Sequence, residues 1–158
     1  LGPVVFDTED ASFADEIRKT LTADDIAASF QRAGRGTPPD LPLCDFVAPL
    51  ERSSTGSEGS TDVGDVSWVT PTVQAQVATC AVGTPFHTWQ TVAQGKAPAA
   101  HKGMVHAAKV MAATAAHLIN SPETLQAARN VHDQRQNTTP YVCPIPSDQK
   151  PPIVGQRS

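Results

Sequence analysis

Cysteine is scarce and poorly placed for a framework: Cys44, Cys80 and Cys143 lie far apart, are odd in number, and no C-x-x-C occurs. Neither a zinc knuckle nor a disulfide scaffold is indicated, so a reducing cytoplasm is the default compartment. Aromatics make up only 5% of the chain, so a core must lean on Ala, Val, Leu and Ile. No apolar run approaches the roughly 18–20 residues of a membrane span. The start has no signal-peptide form, because Leu1–Phe6 runs straight into Asp7, Glu9 and Asp10. Positive charge is thin as well. Lys and Arg number 12 against 16 Asp and Glu, a formal charge of −4. The densest basic stretches, Arg32 to Arg35 and Arg129 to Arg135, cannot track a phosphate backbone, which excludes nucleic acid as main partner. No G-x-S-x-G, glycine-rich phosphate loop or catalytic Cys-His arrangement is legible. An initiator Met is missing too: the chain opens Leu-Gly-Pro, which reads as processing or as a piece of something longer.

What is present suits one folded domain of 158 residues with long loops, since 10 Gly and 14 Pro stay below the level that signals disorder. Thr8-Glu9-Asp10 opens a helix carrying Phe13, Ile17 and Leu21 at steps of four. Thr22-Ala-Asp-Asp25 repeats the start signal in capping-box form, and Gly34 stops the second helix. Breaker residues from Gly34 to Pro42 make a loop, Leu43 to Leu50 a short strand, and Ser53 to Ser60 a mobile surface loop. A short helix is expected from Thr61 or Asp62 to just before Pro71. Val73 to Val82 alternates like the best strand in the chain. Gly83 to Trp89 leaves it as a loop. The strongest helix spans about Pro98 to Ile119, with a seam of Met104, Ala108, Met111, Ala115 and Leu118 whose small Ala residues suit packing against a sheet. Ser121-Pro122-Glu123 starts the last helix, expected to carry Leu125, Ala128 and Val131 inward, and a proline-rich tail follows. The order predicts an α/β fold. Two or three strands make a poor independent sheet, so the sheet would be completed elsewhere.

Five histidines are candidates for chemistry. His101 and His106 sit five apart, about 140° around a helix, and cannot share a metal as an H-x-x-x-H pair would. His117 complements the end of the long helix, and His132 reads as an exposed residue of the last one. His87 has a different setting, in a loop just past the carboxyl end of the expected strand, where ligands and metals collect in α/β folds. The bland alternative is a histidine stacked between Phe86 and Trp89. The run Gly59-Ser60-Thr61-Asp62 offers hydroxyls and backbone N–H groups to an anion, or is an ordinary helix cap.

Several long strings carry more weight together than any one of these. Gly59 to Gln74, Gly83-Thr-Pro-Phe-His-Thr-Trp-Gln90, Ala93-Gln-Gly-Lys96, Ala100-His-Lys-Gly103 and Tyr141 to Pro146 occur in one order. With them the chain resembles the aminobenzoyl-glutamate utilisation protein B group of amidohydrolases, in the metallopeptidase family of aminoacylases and carboxypeptidase G. That resemblance implies a three-layer αβα zinc-peptidase-like catalytic domain, helices on a mixed sheet that this chain alone does not complete. It reads residues 1–158 as a single C-terminal segment of that domain, with the lid and dimerisation domain elsewhere. It implies two divalent metals per site, zinc or manganese, and hydrolysis of an amide bond in N-acyl or N-aroyl amino acids such as p-aminobenzoyl-glutamate. On it His87 is a metal ligand, and Ser60, Thr61 and Asp62 form a supporting turn beside the site. No catalytic residue is expected in this segment, since the general-base glutamate and remaining ligands are expected upstream of Leu1. The segment by itself is therefore expected to be inactive. Implied partners are a small N-acyl amino acid, the rest of the catalytic domain and a second copy through the missing domain, with no nucleic acid or membrane. The alternative function is a catalytically inactive binding or interaction module.

Overall fold

A computed structural model describes residues 1–34, 40–49 and 61–150. Among them are six helices: α1 Thr8–Arg18, α2 Ala23–Arg32, α3 Val63–Val69, α4 Trp89–Gln94, α5 Pro98–Asn120 and α6 Pro122–Thr138. The expected loop at Ser53–Ser60, residue Leu50, most of the linker after Gly34 and the end of the tail lie outside the described residues.

The α/β expectation is not met: no strand occurs among the described residues, and no sheet for the helices to pack on. Residues 43–49 and 73–79 run without regular structure. Alternation records which residues suit a half-buried pleated surface, but a strand exists only where a second backbone completes its ladder. The inward seam of α5 fails with the sheet. Met104 and Met111 stand 60% and 63% exposed, and Leu125 and Val131 of α6 are exposed as well.

The described residues divide into two compact units. One combines those of Leu1–Ser60 with Val73–Asn120, the other Thr61–Thr72 with those of Ser121–Ser158. In the first unit, α1 is capped one residue before the expected Thr8. Asp7 accepts the Asp10 N–H at 2.9 Å while the Asp10 carboxylate accepts the Asp7 N–H at 3.0 Å, a reciprocal capping box. Thr22 and Asp25 make the second box where the sequence places it. Past α2, Gly34 adopts a φ of 75°, the left-handed stop that glycine reaches without Cβ strain. Ala14 and Ile17 of α1 pack with Leu43, Ala81 and Ala99, with Phe6 alongside, into a small aliphatic core.

Lys102 ties α5 to the start of α1. Its ammonium donates to Asp7 at 2.6 Å and to the buried carboxylate of Asp10. The Lys102 contact holds the Asp7 carboxyl below its ordinary 3.8, and the same two carboxylates hold the Lys102 ammonium above its ordinary 10.5. A depressed carboxyl favours the fold only while ionised. The Asp7 contribution is therefore complete above about pH 4 and is lost as pH falls through the lowered value. Lys102 contributes below about pH 10.5 and its share is lost as pH rises through the raised value. Thermal melts from pH 2 to 7 should show a steeper acid decline in the wild type than in Asp7→Asn. Asn still caps the helix, so the variant isolates the charge. Parallel curves would remove the ion pair from the argument.

In the second unit, Trp68 of α3 gathers its neighbours. The Arg135 guanidinium lies 4.1 Å from the centre of the Trp68 ring, and Tyr141 stacks on it at 6.1 Å and 23°. Gln136 donates its amide to the Trp68 carbonyl. Tyr141 donates its hydroxyl to Asp65 at 2.9 Å, and that bond, with Cys143 beside it, pushes the phenol far above its ordinary range. So α3, a segment of seven residues, is fixed by side chains arriving from far along the chain.

Candidate functional site

His87 sits in a turn between Ala81 and α4 whose shape is set by polar contacts rather than by a strand. Gln94, only 3% exposed, accepts the Ala81 N–H on Oε1 at 2.7 Å. Its Nε2 donates to the Thr84 hydroxyl and to the Gln90 carbonyl, both at 3.0 Å. Thr84 in turn donates to the Ala81 carbonyl at 2.7 Å. One buried amide therefore holds the two ends of the loop together and leaves no donor or acceptor of its own unpaired.

The next layer is the Pro85 carbonyl, which accepts hydroxyls from Thr88 at 2.8 Å and Thr91 at 2.7 Å. Thr88 is the N-cap residue of α4, yet its side chain makes no cap hydrogen bond; its hydroxyl is turned to the Pro85 carbonyl instead. Gly83 closes the loop against α2. Its φ is 95°, and a Cβ there would meet Ile26 Cγ1 at 2.7 Å.

Between these fixed points His87 takes a φ of 64°. A left-handed non-glycine residue stores on the order of 1–2 kcal/mol and persists only where its surroundings impose it. The imidazole is exposed. Its neighbours Phe86 and Trp89 stand 78% and 61% exposed, so no buried aromatic stack encloses it. The turn thus presents an imidazole outward at a conformational cost, on a base that the Gln94 network makes rigid. Replacing Gln94 by Leu keeps the volume but strands the Ala81 N–H, so a loss of about 2–3 kcal/mol is expected in denaturant melts. A change below about 0.5 kcal/mol would show that the network does not hold the loop.

Of the turn expected to support the site, Thr61 and Asp62 lie in the second unit. Ser60 lies outside the described residues. Thr61 is exposed, its hydroxyl accepting the Val63 N–H at 3.4 Å and its carbonyl the Gly64 N–H at 3.1 Å. Asp62 occupies the N-cap position of α3 with a helical φ of −63°, and its side chain makes no cap hydrogen bond.

Among the described residues no group of three or more His, Cys, Asp or Glu converges in a way that could hold a metal ion. The donors of the described residues therefore do not by themselves amount to a metal site. Just before the loop, burial pushes the Cys80 thiol up, against smaller pulls from Thr84 and Thr79. His101, His106 and His117 are spread along α5. His132 is not the exposed residue expected: its side chain is 14% exposed, with Nδ1 3.5 Å from Asp133 and Nε2 buried without a partner. No helix among the described residues is long and apolar enough to cross a membrane.

No family model matches the sequence, and no solved structure matches it. Among curated proteins, one of the subunits of the p-aminobenzoyl-glutamate hydrolase of Escherichia coli (strain K12) is 41% identical over 160 residues. The match takes in 95% of this chain and 33% of that protein, so the chain spans about a third of the length of the curated relative it matches. The resemblance carried by the strings at 59–74, 83–90, 93–96, 100–103 and 141–146 is thereby shown over nearly the whole chain.

Proposed function

We propose that this chain serves the hydrolysis of an amide bond in N-acyl or N-aroyl amino acids, p-aminobenzoyl-glutamate among them. The observation that carries the reading is the 41% identity to a polypeptide of a p-aminobenzoyl-glutamate hydrolase, extending over 95% of the chain and across the turn that presents His87. In this reading His87 contributes one imidazole to a divalent-metal site, zinc or manganese, whose other ligands come from outside the described residues. The φ of 64° supports it, because the surrounding turn holds this exposed imidazole in one fixed presentation at a conformational cost. In the same reading Thr61 and Asp62, in the second unit, belong to a supporting turn. The general base is supplied from elsewhere, so this chain's own part is to position a ligand and shape one wall. The rest of the catalytic domain and a second copy are its partners, and the cytoplasm its compartment.

One observation favours the alternative, an inactive binding module: the absence, among the described residues, of three convergent ligands. The two readings separate in one assay. The protein at its natural length is incubated with p-aminobenzoyl-glutamate, with zinc or manganese added and then with a chelator. Metal-dependent release of p-aminobenzoate supports the hydrolase. No release with either metal, from protein that melts cooperatively, sinks it in favour of the module.

A further inference from the structure

The turn that presents His87 carries a second feature that the hydrolase reading does not use. Phe86, Trp89 and Val92 recur at steps of three and stand 78%, 61% and 79% exposed. Aromatics are only 5% of this chain, yet two of them flank one imidazole in solvent. The other tryptophan, Trp68, is engaged by Arg135 and Tyr141. Neither Phe86 nor Trp89 has such a ring contact among the described residues.

These side chains are not exposed because their segment is loose. α4 is turned so that Gln94 is buried and Thr91 bonds to Pro85, which leaves the Trp89–Val92 side outward. Phe86 stands before α4 and Trp89 opens it, so two exposed aromatic rings bracket the candidate ligand in sequence, apolar surface suited to a flat apolar partner. An N-aroyl amino acid has such a part, bonded directly to the carbonyl that must approach the metal. An N-acetyl amino acid does not. From this we infer that Phe86 and Trp89 form an aromatic wall that stacks on the arene of an N-aroyl amino acid, with His87 between them, and so set the preference for aroyl over alkanoyl substrates. The inference rests on the hydrolase reading for its choice of ligand.

The test uses Trp68 and Trp89 as reporters. ¹⁵N-labelled protein at its natural length, with these two indole N–H signals assigned through Trp68→Phe and Trp89→Phe, is titrated with p-aminobenzoyl-glutamate and with N-acetyl-glutamate. The Trp89 signal should move with the aroyl compound and not with the acetyl one, while Trp68 stays in place. Trp89→Ala and Phe86→Ala should each weaken aroyl binding about tenfold, the scale of one lost stacking contact, and leave acetyl binding unchanged. Both side chains are exposed, so both variants should fold, which the melting temperature checks. A Trp89 signal that is unmoved, or moved equally by both compounds, overturns the wall. Release of p-aminobenzoate, followed beside the titration, keeps the two ideas apart. Turnover with an unmoved Trp89 overturns the stacking alone. A Trp89 that responds to the arene without any turnover overturns hydrolysis and leaves the wall standing.

Discussion

His87→Ala is expected to lower metal-dependent hydrolysis of p-aminobenzoyl-glutamate by at least about a hundredfold and to reduce bound metal, with the melting temperature of the metal-free protein almost unchanged. Those two halves have separate causes. Losing an imidazole from a small ligand set removes a donor that water cannot replace in strength or geometry. Losing an exposed side chain from a turn fixed by Gln94, Thr88 and Thr91 removes little packing, since none of those contacts passes through the imidazole. His87→Gly sharpens the comparison. At a φ of 64° a glycine carries no Cβ penalty, so the variant should be as stable as the wild type or up to about 1 kcal/mol more stable, while equally inactive. A protein that gains stability and loses activity at one position would mark the strain as functional. Turnover unchanged in His87→Ala would remove His87 from the site altogether, and equal losses of stability in both variants would show a structural role instead.

How much of this was legible depends on whether the signal was local. Helices α2 and α6 announce themselves, because the Thr22–Asp25 box and the Ser121-Pro122 start act within one turn of chain. At α1 the same chemistry misplaced the cap by one residue: Thr8 and Asp7 are both good caps, and the reciprocal bond to Asp10 selects Asp7. The short α4 carries no periodic signal in its six residues. Val73 to Val82 shows the opposite case. Its alternation is real, but a ladder needs a second backbone, and none lies along it among the described residues.

The site divides along the same line. His87 is singled out by a resemblance of long strings, and its setting differs from the expected one, because the loop follows an irregular segment rather than a strand. Nothing local marks Gln94 as the residue that closes the loop. Its partners Ala81 and Thr84 lie 13 and 10 residues away, and a lone glutamine near a helix end is usually a surface residue. Trp68 is similar, since its partners Arg135 and Tyr141 are remote in the chain.

Gly103→Val should produce the largest loss of stability, about 3 kcal/mol or more, or roughly 10 °C in melting temperature. Gly103 is buried in the body of α5, where glycine costs about 0.5–1 kcal/mol relative to alanine. The reason for it is the irregular segment crossing above. A Cβ at Gly103 would run into the Ala78 carbonyl, and would lie 2.8 Å from Thr79 Cγ2 and 3.0 Å from the Ala78 carbonyl carbon. Most of that obstacle is backbone, which cannot rotate away, so even Gly103→Ala must push the segment off the helix. Gly95 supplies the control. It has a helical φ of −62°, and a Cβ there meets only backbone carbonyls, the nearest that of Val92 at 3.5 Å, an ordinary contact. Gly95→Ala should therefore be neutral or slightly stabilising. The displaced residues, Ala78 and Thr79, lead within three positions to Ala81, whose N–H Gln94 holds. A shift begun at Gly103 consequently reaches the turn that presents His87, and Gly103→Ala should lose hydrolysis as well as stability. Equal melting temperatures for Gly103→Ala and Gly95→Ala would show that the segment does not lie on α5 at all, and the close packing inferred from that glycine would fall with it.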